Sequence, residues 1–428
     1  MKIGVIIGRI GGIDGVALET EKWIEVLQRM GHEIFILSGQ FEERPMDSRY
    51  ETLVPEMSFF SPESFWSQKK AFFHPETNPS ELIDHIDLYS KVIYKKILEW
   101  ISERNIELII SENASCLPSH LEMGLAIKNV VQKSGIPVIT HDHDFAWERG
   151  DRYHSPHEAI NEYVESHFPM RLHNVHAVIN THAHNTLRDR FGRDSVNVPN
   201  VMDFDIPYGI QNDHNKSINK VLGYNDDDIL LFQITRVVQR KGIETAIELI
   251  HKLEDEKIKL VITGNYADDE GNKYYNDLVY QIHDLKLGDR VRFAYHSFHN
   301  KGVIGKGEGV GYSLSDAYAR ARACTYFSTY EGFGNAFVEA VLARRPIFVN
   351  NYKPVYWPDI GSKGFRAVML ENNVITPKAL EDMKLVIYDS KINREVAEHN
   401  FELGKKLFSY DMLREKIEEL IEKALKAA

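Results

Sequence analysis

The strongest constraint in this sequence is a repeated alternation of short apolar, β-branched runs with amphipathic segments of helix length. Lys2-Ile3-Gly4-Val5-Ile6-Ile7-Gly8 opens it, followed by a glycine-rich turn and a helical pattern from Val16 to about Arg29. Glu33 to Ser38 gives a second strand, and apolar runs at Leu108 to Ser111, Val138 to Thr140 and Ala177 to Ile179 continue the series. After Ile229 to Ile234 the pattern starts again, with strands near Leu260 to Thr263, Val291 to Tyr295, Thr325 to Ser328 and Ile347 to Val349. Strands apolar on both faces and separated by helices belong to parallel sheets covered on each side, so the fold class is α/β.

The boundaries follow from where this alternation fails. Residues 1–207 form a first Rossmann-like domain. Residues 208–228, rich in Asn, Asp, Gly and Lys, form a linker. Residues 229–410 form a second Rossmann-like domain, and residues 411–428 a C-terminal amphipathic packing helix with Leu413, Ile417, Leu420, Ile421 and Ala424 on one face. Within the first domain, residues 41–80 carry five prolines and aromatic pairs such as Phe59-Phe60, and are expected to be an irregular insertion. A chain of 428 residues, 43% of them hydrophobic, is long enough for two such cores. No run approaches the ~18 apolar residues of a membrane span, and the N-terminal run is too short for a secretory signal, so the expected location is the cytoplasm. Two distant cysteines give neither a disulfide framework nor a thiolate zinc site, and a net charge of −12 disfavours nucleic acid as a partner.

Four segments carry candidate chemistry. Gly8 to Gly15 contains Gly11 and Gly12, which allow close approach of backbone to a ligand at a helix N-terminus, but the spacing is not that of a dinucleotide fingerprint. A tight turn with no ligand explains it equally well. Thr140 to Arg149 contains His141, Asp142, His143 and Asp144 directly after a strand, where open α/β sheets place functional loops. A metal pair, a metal-diphosphate clamp and a histidine touching a sugar compete here, with hydrogen-bonded loop polars as the bland alternative. Nine histidines lie between His141 and His184, and most of the others are expected on exposed helices. Thr235 to Gly242 brings Arg236, Arg240 and Lys241 to a strand end, an arrangement suited to a diphosphate, although a solvated basic loop would read the same. Ser328 to Ala340 is the most specific: Gly332 and Gly334 permit a sharp turn around Phe333, Asn335 is expected to cap a helix, and Glu331 and Glu339 suit hydroxyl-rich ligands. A first-turn helix acid would account for Glu339 but not for Glu331 or the paired glycines.

With these residues in view, the chain resembles the retaining glycosyltransferases of family 4. The resemblance runs along nearly the whole chain. It rests on Gly11-Gly12, Gly31-His32-Glu33, His143, Pro199-Asn200-Val201-Met202-Asp203, Arg236 with Lys241-Gly242, and the Glu331 to Glu339 segment. It implies the GT-B fold, two facing Rossmann-like domains with parallel sheets and a cleft between them. It also implies that Arg236 and Lys241 hold the diphosphate of a UDP-, GDP- or ADP-hexose. Glu339 would bind the ribose, and Glu331 with Gly332, Phe333, Gly334 and Asn335 would contact the donor. His143 would meet the donor sugar near the reacting carbon, and Gly12 would let the first loop approach the phosphate or the acceptor. His143, Arg236, Lys241 and Glu331 are therefore the expected catalytic set. No metal or other cofactor is required by that logic, magnesium being at most stimulatory.

The acceptor is expected to be small and polar, with a glycerate or glucosylglycerate-type compound as the example. Gly11, His141, Asp142, Arg149, Arg152 and Tyr153 are its expected contacts, the two arginines meeting an anionic group. A lipid or polysaccharide acceptor is the nearest alternative. A metal-dependent hydrolase built on His141 and His143, and a non-catalytic nucleotide-sugar binder, are the readings from other classes. The Gly/Lys-rich stretch Lys301 to Gly309 departs from the family pattern, and a lid is one role for it. Base, donor sugar, linkage and oligomeric state leave no trace that the sequence alone resolves.

Overall fold

The computed structural model describes residues 1–43, 46–266, 270–299 and 311–428; the stretch Lys301 to Gly309 and any lid there lie outside the described residues. The chain divides into two units, Met1–Asn200 with Tyr410–Ala428, and Val201–Ser409.

In the first unit the order is β1 (Lys2–Ile7), α1 (Gly15–Arg29), β2 (Glu33–Ser38), β3 (Glu51–Leu53), α2 (Pro62–Phe72), α3 (Pro79–Arg104), β4 (Leu108–Glu112) and α4 (Leu121–Ser134). Then come β5 (Val138–Asp142), α5 (Glu158–His167), β6 (Val175–Val178), α6 (Thr181–Phe191) and β7 (Ser195–Asn197). All seven strands pair in parallel, in the order β3-β2-β1-β4-β5-β6-β7. Ile6, Leu37, Ile109 and Val138 of the sheet meet Ile97 and Trp100 of α3 and Ile127 and Val130 of α4, all buried.

Residues 41–80 are more regular than the sequence suggests, holding β3, α2 and the start of α3. Two of the prolines read as breakers are helix starters: Pro62 and Pro79 occupy first helical positions, where no N–H is needed. The Ser61 hydroxyl accepts from the Ser64 N–H and the Asn78 side-chain oxygen from the Ser80 N–H, capping both helices.

The second unit runs α7 (Ile218–Val221), β8 (Ile229–Gln233), α8 (Ile243–Leu253), β9 (Ile258–Ile262), α9 (Lys273–Asp284), β10 (Val291–Phe293), β11 (Phe298–His299), β12 (Tyr312–Ser313), α10 (Leu314–Arg320) and β13 (Ala323–Tyr326). It continues with α11 (Asn335–Leu342), β14 (Ile347–Asn350), α12 (Tyr356–Asp359), β15 (Val368–Leu370), α13 (Pro377–Tyr388) and α14 (Ser390–Phe408). Its main sheet is also parallel, in the order β10-β9-β8-β13-β14-β15. Leu231, Leu260 and Phe348 of that sheet pack with Ile247 and Ile250 of α8 and Met383 of α13. The last helix, α15 (Tyr410–Ala427), returns to the first unit and packs on α1, β5 and β6.

Each main sheet reverses its winding direction once, between β1 and β4 in the first unit and between β8 and β13 in the second. In open parallel sheets the carboxyl ends of strands at such a reversal form the ligand crevice. Among the described residues, no helix is long and apolar enough to cross a membrane.

Candidate active site

In the second unit the loops leaving β8 and β13 are stitched together at the reversal. Buried Gln233, the last residue of β8, accepts from the Thr325 hydroxyl at 2.6 Å and donates to the Lys241 carbonyl at 3.2 Å. The Thr329 N–H donates to the Arg240 carbonyl at 2.8 Å. This places Lys241 against Glu331 in a buried ion pair, with Arg240 Nη1 2.9 Å from the other carboxylate oxygen. Burial alone would raise the Glu331 pKa, but Lys241 and Arg240 more than offset it and hold the carboxyl below its usual range. Burial lowers the Lys241 pKa against the opposing pull of Glu331. Arg236 lies on the exposed side of the same loop.

Two glycines make the turns possible. Gly242 has φ +61°, and a Cβ there would fall 2.1 Å from the Phe327 carbonyl oxygen; Gly334 has φ +129°, and its Cβ would fall 2.1 Å from the Tyr352 hydroxyl. That hydroxyl donates to the Phe333 carbonyl at 2.9 Å, and the Phe333 ring packs edge-on against Phe408, so Phe333 contributes backbone rather than side chain to the turn. Gly334, not Asn335, is the N-cap of α11; the cap needs a backbone conformation that Asn does not take up as readily, and Asn335 becomes the first helical residue. Glu339 is the fifth residue of α11, one turn beyond the helix start, so the macrodipole does not explain it. It accepts from the buried Tyr318 hydroxyl at 3.0 Å. Two cations, a carboxylate and the N-terminus of α11 thus meet at one crevice, an arrangement whose chemistry suits a diphosphate and hydroxyl groups.

In the first unit, Gly11 and Gly12 lie in the loop between β1 and α1, where Asp14 caps α1 through the Val16 and Ala17 N–H groups at 3.2 and 3.1 Å. A Cβ on Gly12 would sit 2.2 Å from a carboxylate oxygen of Glu42. The His141 to Asp144 segment differs from expectation: β5 extends through Asp142, so His141 and Asp142 are buried strand residues rather than loop residues. Strand periodicity sends them to opposite faces. Thr140 and Asp142 join His176 of β6, Thr140 being the register partner of His176 and Asp142 lying 2.7 Å from its Nδ1. On the other face, Glu112 of β4 is the register partner of His141 and accepts from its Nδ1 at 2.8 Å. His141 stacks between Trp23 and His143, with centroids 4.0 and 4.1 Å away. His143 Nε2 is 3.5 Å from Glu112. Burial would raise the Glu112 pKa, but His141 and His143 offset it and bring it down to about 2.

Asn113, just past β4, has a left-handed φ of +50°. Its side-chain oxygen accepts from the His143 and Asp144 N–H groups at 3.1 and 3.4 Å, and its amide donates to the Asp144 carboxylate at 3.0 Å. Arg149 pairs with Asp144, exposed Arg152 lies over the Tyr153 ring, and Tyr153 is buried edge-on to Phe72. Glu148 accepts from the Phe145 N–H at 2.8 Å, and burial pushes its pKa up to about 7. His176 is wholly buried in the sheet, contrary to the expectation of exposed helical histidines; Thr140 and Asp142 of β5 and Asn174 just before β6 give it the polar partners it needs. Sequence reasoning missed Glu112 and Asn113, because a single acid or amide at a strand end carries no motif. Among the described residues, Glu112, His141 and His143 are also the group that could hold a metal ion, with donor atoms within 4.8 Å of one another.

Residues 214–383 match the family described as Glycosyl transferases group 1. The chain is 28% identical to a mannosylglucosylglycerate synthase of Petrotoga mobilis over 97% of its own length and 100% of the relative's. It is 29% identical to a mannosylglucosylglycerate synthase of Thermotoga maritima over 97% and 98%. Among solved structures, the Anabaena HepE protein in complex with UDP and glucose superposes with a TM-score of 0.65 at 14% identity, covering 99% of each chain. Taken with the two parallel sheets and the crevice built from Lys241, Glu331 and Gly334, these matches show that residues 214–383 form a glycosyl transferases group 1 domain within a GT-B fold, and that the protein is a glycosyltransferase of the hexosyltransferase class.

Proposed function

We propose that the protein moves a mannosyl group from a nucleotide-diphosphate mannose to glucosylglycerate, with retention at the anomeric carbon. The reading is carried by the Lys241, Arg240 and Glu331 cluster at the reversal of the second sheet. The names of the two relatives that match over nearly their whole length support this choice of product. In the proposed reaction the bond from the anomeric carbon to the phosphate oxygen breaks, and the nucleoside diphosphate departs. The acceptor hydroxyl oxygen bonds to that carbon on the same face and gives its proton to the departing phosphate. Arg236 and Lys241 stabilise the charge that grows on the phosphate, so the chemistry runs without a metal ion. Glu339 takes the ribose hydroxyls, Glu331 and the 332–335 backbone take the donor sugar, and His143 lies at the reacting carbon. Arg149 and Arg152 receive the glycerate carboxylate, and the reaction is assigned to the cytoplasm.

The deciding experiment supplies glucosylglycerate with UDP-, GDP- or ADP-mannose in the presence of EDTA, and reads the product's anomeric configuration by NMR. A product of retained configuration from one donor is the expected result. No product from any donor, with or without added magnesium, overturns the reading. A lipid acceptor is the second reading, favoured by exposed Phe60, Phe65, Trp66 and Phe73 on and beside α2. Transfer to vesicle-borne acceptor alone would select it.

A further inference from the structure

Two consecutive residues at the end of β4 grip the segment that carries His143, and no motif marks either of them. Glu112 holds the ring side: it is fixed to His141 at 2.8 Å, lies 3.5 Å from His143 Nε2, and is nearly inaccessible to solvent. Asn113 holds the backbone side, taking the His143 and Asp144 N–H groups on one oxygen while its amide anchors Asp144. It does so from a left-handed conformation, which Asn tolerates better than other side-chain-bearing residues and which tends to persist at functional sites. Trp23 closes the stack behind His141, so the His143 ring leans on a buried aromatic layer.

We infer that Glu112 and Asn113 are positioning residues for His143, one fixing its ring and the other its main chain, so that His143 meets the donor sugar at a set place and angle. The inference rests on the role proposed for His143. A carboxylate only accepts hydrogen bonds, so the His141 nitrogen facing Glu112 carries a proton, and the same carboxylate favours an N–H on the His143 nitrogen turned toward it. That leaves His143 Nδ1 as the acceptor for a substrate hydroxyl. A metal ion shared by the three side chains is the rival reading, since the second His141 nitrogen, His143 Nε2 and one Glu112 oxygen are buried without a hydrogen-bond partner.

The test is a double-mutant cycle in the full-length protein, with transfer kinetics as the readout. Glu112→Gln keeps size and loses the charge; Asn113→Gly keeps the left-handed backbone and loses the side chain. Each is expected to lower kcat about 10- to 100-fold, as displacement of a reacting group by ~1 Å does, while the KM for the donor stays within about twofold. Asn113→Asp keeps the accepting oxygen but sets a second carboxylate where the amide donates to Asp144 at 3.0 Å, and is expected to lose no less than Asn113→Gly. In a His143→Ala background, Glu112→Gln and Asn113→Gly should produce no further loss, because residues acting through one group are not additive. Multiplying effects in that background would overturn the inference. If His143→Ala itself leaves kcat unchanged, the role of His143 fails and this inference fails with it. Normal kcat for both Glu112→Gln and Asn113→Gly beside an impaired His143→Ala would overturn the inference alone. A stoichiometric ion released by unfolding the wild-type protein, and absent from Glu112→Gln, would make Glu112 a metal ligand and overturn it as well.

Discussion

Lys241 and Glu331 stand ninety residues apart in the chain and form a buried ion pair at the carboxyl ends of neighbouring strands. The pair joins the two loops that define the crevice of the second unit, so stability and the donor recognition proposed for this crevice share the same atoms. Taking one partner away leaves a buried charge with reduced compensation, which costs about 3–5 kcal/mol when nothing else remains. Arg240 still faces Glu331 after loss of Lys241. Lys241→Ala is therefore expected to cost about 3 kcal/mol in urea unfolding and to abolish transfer. Unchanged unfolding together with unchanged transfer would contradict this assignment.

Glu148 couples the fold to pH near neutrality. Its pKa is raised from 4.5 to about 7 by burial, so the folded protein keeps a proton that the unfolded chain has already released. Stability from this group is complete below pH 4.5 and is lost as pH rises through about 7. At ~1.4 kcal/mol per unit the loss amounts to about 3 kcal/mol. Melting curves from pH 5 to 8 should show this decline in the wild-type protein and a flatter profile in Glu148→Gln. Identical profiles would refute it.

The turn at Gly334 leaves no room for a side chain. Gly334→Ala places a methyl group against the Tyr352 hydroxyl at φ +129°, and about 1–3 kcal/mol of destabilisation is expected from the backbone conformation. The KM for the nucleotide-sugar should rise at the same time, since the Tyr352 bond to Phe333 shapes the turn proposed to face it. Donor titration followed by steady-state kinetics measures both effects on one sample.

Arg149 is exposed and paired with Asp144, which Asn113 also holds. Removal of this guanidinium by Arg149→Ala is expected to raise the acceptor KM about tenfold, the loss of one charge-assisted contact, with the donor KM unaltered. An uncharged glucosylglycerol acceptor should be indifferent to the change. Equal loss with both acceptors would take Arg149 out of acceptor recognition.

The sheets were legible because their signal is redundant: Glu33–Ser38 begins and ends where the apolar run does, and most other strands shift by only a residue or two. Three-residue strands carry too few side chains to show a period: β3, β7 and β15 were missed, β10 was read only within the longer run Val291 to Tyr295, and such strands exist because a neighbouring strand offers its edge. The cation and glycine segments of the second unit were readable for a different reason, since a sharp turn and a charge cluster each demand particular residue types. His141 to Asp144 was read as a loop because polar residues are uncommon in buried strands; its strict alternation of His and Asp is a period of two, the pattern that sends Asp142 toward His176 and His141 toward Glu112. Glu112 acquires meaning only once β4 and β5 are known to be neighbours in register.

The return of α15 to the first unit sets an order on synthesis. Leu413, Ile417, Leu420 and Ala424 are fully buried there in a helix that packs on α1, β5 and β6, all of them made before residue 180. A ribosome adding about 5–20 residues per second takes on the order of ten to fifty seconds to pass from Asn200 to the C-terminus. Throughout that interval the first sheet is complete in sequence but lacks one of its covering helices, and its apolar side at β5 and β6 is open to chaperones. The domain made first is therefore the domain finished last.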